Sequence, residues 1–344
     1  MDNLCLTVRE RTSERPGNPS SGVPADRKRL SQGRYYGATC IVLILACLIT
    51  PLLARGDPLP APKVCVLYPD VGEPYSRITE EILNGIAERV SASQPCTLAL
   101  LEQADTHAAK GWLSGRSPKV VITLGRLATR VLETSGARLP YVIGALDISP
   151  DTRPEASGIS LAVDPAVMFD HLKKIAPRIK RVFLVFEPAH DRWLLERAKK
   201  EASARGLELR AEPAANVLDG GERYGHFVQI AEPHTDAIWL TLNNAIIDDQ
   251  NLVPYLIEQA WYRKIIIVSN TLEHARWGVL FSTYPDNRAL GHRLAEMALE
   301  LAEHPKHPLG VDPLRDIKIA PNTRIMNHLG LPAGSTNHFE IRYD

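Results

Sequence analysis

From Lys63 onward, short apolar runs alternate with amphipathic stretches along the chain. The run KVCVLY at 63–68 is typical of a strand, and the stretch at 75–90 repeats isoleucines with helical spacing. Further strands are predicted at 97–102, 119–124 and 140–145, with helices at about 105–114 and 126–136 between them. Continuous apolar strands separated by helices indicate a parallel sheet that is covered on both faces. We therefore predict a first α/β lobe here.

The same plan repeats after Asp164-Pro165, a pair that predicts a helix start because Asp is a good N-cap and Pro fits the first helical position. Strands are predicted at 181–186, 207–212, 236–242, 264–269, 279–284 and 316–320, and helices at 190–205, about 221–231, 251–263, 287–303 and 323–330. Two successive units of similar size predict the fold class: two doubly wound, Rossmann-like α/β lobes with ligand space between them.

The chain begins with residues of another kind. Residues 1–36 are rich in Ser, Pro, Gly and Arg without an apolar period, so we predict that they are disordered. The uncharged segment 37–54 has the length of a signal-peptide core or a membrane anchor. Basic residues before it place the N-terminus in the cytoplasm and the remainder outside. We expect a periplasmic or extracytoplasmic protein, which an uncleaved segment 37–54 would anchor to the inner membrane.

Composition and motifs narrow the class of function. The chain has 344 residues, of which 44% are hydrophobic, enough for a large core. It carries 40 Lys and Arg against 40 Asp and Glu, and this neutral balance gives no support to nucleic-acid binding. The sequence contains no G-x-S-x-G, HExxH, Walker A or CxxC motif. We therefore expect a binding protein rather than an enzyme, with no metal, no cofactor and no nucleic-acid partner.

Two of the five cysteines, Cys65 and Cys96, fall in the part that we predict to be exported. An oxidising compartment favours pairing of such residues. Both lie near the starts of the first two predicted strands, and adjacent parallel strands rarely provide good disulfide geometry. We therefore expect two buried thiols, with a disulfide as the alternative.

Ligand pockets in open parallel sheets form beyond the carboxyl ends of the strands, which selects particular loops. Gly125 follows a predicted strand and allows close backbone approach, and the helix start after it favours an anion. Arg126 places a cation at that helix start. We predict that it pairs with an anionic group, either of the ligand or of Asp147. The alternative is a turn that is only structural, with Arg126 pointing to water.

Other polar and aromatic residues follow or end neighbouring strands. Asp147, Asn243 and Asn270 fall at strand ends, where their side chains are suited to directional hydrogen bonds with a small polar ligand. Tyr68 and Tyr284 are candidates for an aromatic wall. Asn and Asp are also common turn and cap residues, so a structural role is the alternative for each of them.

Four longer segments follow one another in a familiar order: PKVVITLGRLATRVLETSGARLPYVIGALDISP, SGISLAVDPAVMFDHLKKIAPRIKRVFLVFEP, DAIWLTLNNAIID and YPDNRALGHRLAEMALELAEHPKHPLGV. In order and spacing they resemble the ABC-transporter substrate-binding proteins related to tryptophan- and tyrosine-binding lipoproteins, which have a type I periplasmic-binding-protein fold. The resemblance covers roughly Lys63 to Pro332. It implies two lobes that close over a small solute, such as an amino acid or an organic acid, by hinge motion. It also implies an ABC permease and its ATPase as partners.

The resemblance further implies a role for the residues around Gly125. In the family, Thr or Ser and then Pro and Ala follow this glycine, and the hydroxyl and backbone amides hold a carboxylate. Here Gly125 and Ala128 match, whereas Arg126 and Leu127 stand at the hydroxyl and proline positions. The candidate ligand-binding group therefore includes Leu127 as well as Gly125 and Arg126.

The family fold has three crossings between the lobes, which we place near 160, 280 and 310. The predicted organisation is lobe 1 at 63–160 plus 281–308, lobe 2 at 161–280 plus 309–332, and a C-terminal tail at 333–344. The predicted function is a solute-binding receptor of an ABC importer. The alternative is a membrane-anchored sensor or accessory protein that uses the same fold to contact a protein partner.

Overall fold

The structure, a computed structural model, describes residues 63–90, 95–101, 106–332 and 340–343. Within them the chain forms twelve strands and ten helices. In chain order they are β1 (Val64–Pro69), α1 (Tyr75–Arg89), β2 (Cys96–Leu100), α2 (Thr106–Arg116), β3 (Val120–Leu124), α3 (Gly125–Thr134), β4 (Tyr141–Leu146), β5 (Ser157–Val163), α4 (Pro165–Ile175), β6 (Arg181–Phe186), α5 (Arg192–Ala204), β7 (Glu208–Pro213), α6 (Val217–Ile230), β8 (Asp236–Leu240), α7 (Leu252–Arg263), β9 (Ile266–Ser269), α8 (Leu272–Trp277), β10 (Phe281–Pro285), α9 (Asn287–Glu303), β11 (Gly310–Leu314), β12 (Ile317–Pro321) and α10 (Thr323–His328).

The predictions for the two ends of the chain fall largely outside this part. The segments 1–36 and 37–54 lie outside the described residues, and so does most of the tail at 333–344. Among the residues that are described, no helix has the length and apolar content needed to cross a membrane.

Two six-stranded sheets organise the described residues. The first has the strand order β11-β5-β4-β3-β1-β2, and the second has the order β12-β10-β9-β8-β6-β7. Neighbouring strands are parallel except β10 and β12, which are antiparallel. Every residue of β3 and β8 is buried, as continuous apolar strands inside a covered sheet require. The predicted fold class of two doubly wound α/β lobes is confirmed.

The chain passes between the two sheets three times, as the family resemblance implies. It leaves the first sheet at Asp164, returns to it after Asp286, and crosses again at 315–316. The first two crossings end at once in a capped helix. The Asp164 carboxylate accepts from the Ala166 N–H at 2.9 Å, and the Asp286 carboxylate accepts from the Ala289 N–H at 3.1 Å. Each of these crossings is therefore short and has a defined end.

The strand order corrects two of the predicted lobe boundaries. From the sequence we assign residue 281 onward to lobe 1, but β10 belongs to the second sheet, where it pairs with β9 and β12. We likewise assign 309–332 to lobe 2, but β11 belongs to the first sheet beside β5. Both crossings lie one strand later than predicted. An apolar run indicates a strand but carries no information about which sheet the strand joins.

Most predicted elements agree with the structure to within a few residues. The structure also contains β5, α8 and β11, which the sequence pattern did not predict. Strand β11 has the sequence GVDPL, whose polar residue and proline hide it from an apolar-run criterion. Helix α6 begins at Val217, earlier than predicted. Its N-cap Asn216 accepts from the Asp219 N–H at 3.0 Å, a capping signal that the prediction did not use.

Helices α1 and α9 touch through their backbones at two glycines. A Cβ atom on Gly85 would overlap the carbonyl oxygen of Arg288, and a Cβ on Gly291 would overlap the carbonyl oxygen of Ile82. An ion pair lies beside this contact: Arg288 Nε donates to Glu88 Oε2 at 3.1 Å, across 200 positions of sequence. The first lobe therefore closes on a helix that the chain supplies only after it has passed through most of the second lobe.

Cys65 and Cys96 form a disulfide between β1 and β2. The two residues are direct partners in the strand register, with Cα atoms 4.5 Å apart, which is inside the usual range for a disulfide. The expectation of two buried thiols is therefore wrong. That expectation used a general property of adjacent parallel strands. The register of this particular pair, which brings the two cysteines opposite each other, is not visible in the sequence.

The glycine contact predicts a strong response to added side-chain volume. We expect Gly85→Ala and Gly291→Ala each to lower the free energy of unfolding by about 1–3 kcal/mol or more, because the neighbour that must move is backbone. The matched control is Gly225→Ala in α6, where a Cβ would meet open space. That change should stabilise the protein by about 0.4–1 kcal/mol. Urea unfolding measures all three, and equal effects at Gly85 and Gly225 would contradict the close contact.

Candidate functional site

The start of α3 lies directly at the carboxyl end of β3. Leu124, the N-cap residue, is extended, and Gly125 has a φ of +78°, which favours glycine. No side chain caps this helix, and its first turn contains no acidic residue. The N–H groups of the first turn, together with the helix dipole, make this position suited to an anion.

Two buried threonines hold this turn in place. The Thr129 hydroxyl donates to the Gly125 carbonyl at 3.0 Å and lies 3.0 Å from the Thr123 hydroxyl. Thr123 sits in β3 and Thr129 one turn into α3, so they tie the strand end to the helix. Sequence reasoning missed both, although a hydroxyl four residues after the turn glycine is a recognisable signal.

Arg126 is exposed in the first turn of α3. Within the described residues it makes no ion pair with a carboxylate, so the predicted pairing with Asp147 is wrong. Pairing with a ligand stays a prediction. Leu127, the next residue, is half-buried and packs against the core beneath α2 and α3.

Asp147 follows β4 and is held within the first lobe by Ser160. The Ser160 hydroxyl donates to Asp147 Oδ1 at 3.0 Å. It also accepts from the backbone N–H groups of Ile148 and Ala162 at 3.2 and 3.1 Å. Burial raises the pKa of Asp147, while the nearby His190 and the Ser160 hydrogen bond act in the opposite direction. The side chain is therefore a fixed acidic group at the edge of the first sheet.

The loop after β4 meets the loop after β6 of the other lobe, and we call this the interlobe contact. The Ser149 hydroxyl donates to the His190 carbonyl at 2.6 Å, and the Asp151 carboxylate accepts from the Trp193 N–H at 2.9 Å. His190 Nε2 lies 4.0 Å from Asp147 Oδ2. The two lobes are thus joined by hydrogen bonds between side chains of the first lobe and the backbone of the second, at the carboxyl edges of both sheets.

His190 is held from its own lobe as well. Its Nδ1 lies 2.8 Å from Asp191 Oδ1. This hydrogen bond is the main cause that raises the pKa of His190; the charges of Asp147, Asp191 and Glu187 add to it, and burial opposes it. A protonated His190 would stand between a carboxylate of each lobe, which strengthens the interlobe contact.

Asn243 is buried and uses its amide within the second lobe. Its Nδ2 donates to Asp191 Oδ2 at 2.9 Å and to Glu187 Oε2 at 3.1 Å, and its Oδ1 accepts from the Ala245 N–H at 2.9 Å. The residue therefore fixes the loop after β8 to the loop after β6. Direct contact of Asn243 with a ligand stays a prediction.

Asn270 connects three neighbouring strands of the second sheet. Its Oδ1 accepts from Trp239 Nε1 at 2.8 Å, and its Nδ2 donates to the Thr283 hydroxyl at 2.7 Å. Because Trp239 lies in β8 and Thr283 in β10, the amide joins β9 to the strands on either side. Its predicted contact with a ligand also remains untested.

The two predicted wall tyrosines occupy different environments. Tyr68 is half-buried at the end of β1 and packs against the main apolar core. Tyr284 packs against the apolar core of the second lobe, as Ile341 and Tyr343 do, and its buried hydroxyl makes no hydrogen bond within the described residues. Burial, followed by the charges of neighbouring acids including Glu340, raises the pKa of Tyr284 to about 12. Only Tyr68 lies beside Gly125 and Asp147 on the first sheet.

Three side chains of the second lobe, a serine, a histidine and an aspartate, form a hydrogen-bonded series. The sequence pattern did not connect them. The Ser269 hydroxyl lies 2.8 Å from His274 Nδ1, and His274 Nε2 lies 3.1 Å from Asp249 Oδ1. The Ser269 hydroxyl also accepts from the Thr271 N–H at 3.0 Å. Ser269 and His274 are both fully buried, and burial lowers the pKa of His274. This hydrogen-bonded series therefore positions the loops after β8 and β9. Its serine is buried, so a substrate does not reach the hydroxyl.

Comparison with known proteins reveals similarity at the level of structure alone. No protein-family model matches the chain, and no curated protein matches it.

Several solved structures match most of the chain in fold. A ligand-free, open substrate-binding protein with adhesive properties from Clostridium difficile has a TM-score of 0.54. An ABC domain in complex with L-Trp from Streptococcus pneumoniae and a conserved domain protein from Vibrio cholerae each have a TM-score of 0.50. In all three the identity is 16%, and the match covers 82% of this chain and 99% of the other. The chain therefore has the type I periplasmic-binding-protein fold that the sequence resemblance implies.

Proposed function

We propose that this chain is an extracytoplasmic receptor of an ABC importer that binds a small polar or anionic solute between its lobes. One observation carries the proposal: the uncapped start of α3, with Gly125 and the exposed Arg126, lies at the carboxyl edge of the first sheet. In open parallel sheets this edge is where ligands bind. Binding, rather than catalysis, is also favoured by the burial of Ser269 and His274.

The electrostatics of α3 favour an anionic group on the solute. A cation in the first turn interacts unfavourably with the helix dipole, by about 0.3–1 kcal/mol. An anion at the same place is stabilised both by the dipole and by the cation. Arg126 therefore costs stability in the unliganded protein and recovers it on binding. On the opposite lobe, Glu187 is half-buried and held by Asn243, and its carboxylate offers an acceptor to donor groups of the same solute.

The interlobe contact supplies the closed state that a hinge mechanism requires. Opening the lobes breaks the bonds from Ser149 to His190 and from Trp193 to Asp151. The three short crossings at Asp164, Asp286 and 315–316 then take up the backbone change. Opening costs a few hydrogen bonds between the lobes, which a bound solute offsets in the closed state.

Two further features support the location and the partners. The Cys65–Cys96 disulfide is typical of proteins in an oxidising compartment. The predicted signal peptide or anchor at 37–54 agrees with export. We infer an ABC permease and ATPase as partners from the family resemblance, with the membrane reached through the N-terminal segment.

A second function, a membrane-anchored sensor or accessory protein, is favoured by a different observation. The polar groups of Asp147, Asn243 and Asn270 are all engaged within the chain, and the lobes hold each other directly. A scaffold of this kind would present its surface to a protein partner. Identification of the mature N-terminus separates the two, because a free periplasmic form supports the receptor and a retained anchor supports the accessory protein.

The receptor proposal predicts that Arg126 carries solute affinity. In a thermal-shift screen of the full chain against amino acids, organic acids and nucleosides, a solute at 100 times its Kd should stabilise the protein by about 2.7 kcal/mol, a rise of several degrees in Tm. Arg126→Ala should weaken binding of that solute about 10- to 100-fold, because a charged hydrogen bond is lost. Calorimetric titration measures the change.

The control is Arg130→Ala, which removes an exposed arginine one turn further along the same helix. It should bind the solute with unchanged affinity. If no solute raises Tm, the receptor proposal fails; if Arg126→Ala binds normally, the turn at Gly125 is only structural.

The interlobe contact predicts a pH dependence of stability. The pKa of His190 is raised in the folded protein, so its contribution is full below about pH 6.5 and is lost as pH rises through the folded pKa. His274 acts in the opposite sense because burial lowers its pKa. We therefore expect the free energy of unfolding of the wild type, minus that of His190→Asn, to fall between pH 6 and pH 8.5.

Urea unfolding across that pH range measures the difference. His226→Asn, at an exposed position on α6, serves as the matched control and should show no such fall. A pH-independent difference between wild type and His190→Asn would mean that His190 does not bridge Asp147 and Asp191 as a cation.

A further inference from the structure

A second pocket lies on lobe 2, far along the chain from the turn at Gly125. It has a volume of about 230 Å³ and is formed where the end of α7, the end of α8 and the start of α10 meet. Helices α7 and α8 lead from here into the amino ends of β9 and β10. The pocket is therefore at the end of the second sheet opposite to the edge that carries Asn243 and Asn270.

Aromatic rings form the walls of this pocket. Trp261 is stacked on His328 with ring centroids 3.7 Å apart and an interplanar angle of 6°. The neighbouring Tyr262 is 75% exposed and Trp277 is 45% exposed. Burying such rings is favourable, and exposed rings of this size gathered at one pocket indicate a surface that a ligand covers.

Two arginines also line this pocket. Arg324 places its guanidinium carbon 5.0 Å from the centroid of the Trp261 ring, and Arg276 is exposed beside Trp277. Neither makes an ion pair with a carboxylate of the described residues, and in the described part of the lining the acidic residue is Glu258 alone. Two cations and one acid leave the pocket net positive, which attracts an anion.

The floor of the pocket is rigid. Asn322 is buried; its Nδ2 donates to the Ala275 carbonyl at 2.8 Å and its Oδ1 accepts from the Ile325 N–H at 3.0 Å. These bonds fix the end of α8 against the start of α10. Gly278 adopts a φ of +135°, and a Cβ there would lie 2.9 Å from Ile257 Cγ2. The floor is therefore held in place before any ligand binds, which reduces the entropic cost of binding.

We propose that this pocket binds a small aromatic carboxylate. The rings of Trp277 and Tyr262 stack on its ring, and Arg276 and Arg324 donate to its carboxylate. The volume sets the size of the ligand, since an apolar cavity of about 150 Å³ holds benzene, and about 230 Å³ therefore accommodates one ring and an acid group. This site is independent of the solute site proposed between the lobes.

The test is a calorimetric titration of the full chain with three probes: phenylacetate, phenylacetamide and acetate. Phenylacetate should bind with a Kd of about 1 mM or tighter, and the neutral amide and the ringless acid should each bind at least about tenfold more weakly. Arg276→Ala/Arg324→Ala should reduce phenylacetate affinity at least about tenfold. Both arginines are exposed, so this variant is expected to fold, and far-ultraviolet circular dichroism checks it.

The control variant Arg130→Ala/Arg178→Ala removes two exposed arginines elsewhere and should bind phenylacetate like the wild type. Arg126→Ala should also bind it normally, and loss of binding in that variant alone would assign phenylacetate to the interlobe site and overturn the proposal. Equal affinity for acetate and phenylacetate would show simple charge attraction and would also overturn it. Absence of phenylacetate binding to the wild type leaves the interlobe proposal standing and removes this one.

Discussion

The close contact of α1 with α9 is the constraint on which the two-lobed architecture depends. It brings a helix from the later part of the chain against one from the beginning, so the first lobe receives α9 only after the chain has passed through most of the second lobe. Because Gly85 and Gly291 allow the backbones to touch, α9 also lies against β3 and β4, beneath the turn that carries Gly125. The crossings at Asp164 and Asp286 follow from this return, since the chain must leave the first lobe and come back. The repeated crossings between the lobes are therefore a consequence of how one helix pair packs.

The polar residues at the facing edges of the sheets serve mainly to hold loops in place. Asn243 joins two loops, Asn270 joins three strands, and His274 joins Ser269 to Asp249. Buried polar groups of this kind are stable only when their partners are supplied, and each of these amides and the imidazole has a partner on both sides. Such networks make the edge of each lobe rigid. Rigid edges of this kind are a condition for the lobes to move as bodies in the proposed hinge mechanism.

The fold class could be predicted from the sequence because the strands of a covered parallel sheet produce a simple pattern of residues. Strands buried on both faces become continuous apolar runs, and β6 and α9 were predicted with the bounds that the structure has. Strand β11 contains Asp and Pro and therefore shows no continuous apolar run. Which sheet a strand joins at each crossing depends on pairing between distant segments. The Cys65–Cys96 bond was missed for the same reason, since register is a tertiary property. Features with a strong local sequence pattern could therefore be predicted, and features that depend on strand pairing could not.

The contacts of the candidate site residues were less predictable than the fold, and Arg126 shows the physical reason. Residue type and strand position select Asp147, Asn243 and Asn270 as candidates, but which partner each side chain meets depends on neighbouring strands that the sequence does not specify. Arg126 is different, because its significance comes from the helix that begins at Gly125, a local feature. An exposed arginine has little meaning by itself, and Arg130 on the same helix is equally exposed. Arg126 and Arg130 differ in the field around them: the helix dipole makes the first turn unfavourable for a cation, and the effect is lost beyond that turn. A charge held where its own fold disfavours it is better evidence for a ligand than a charge that is merely unpaired.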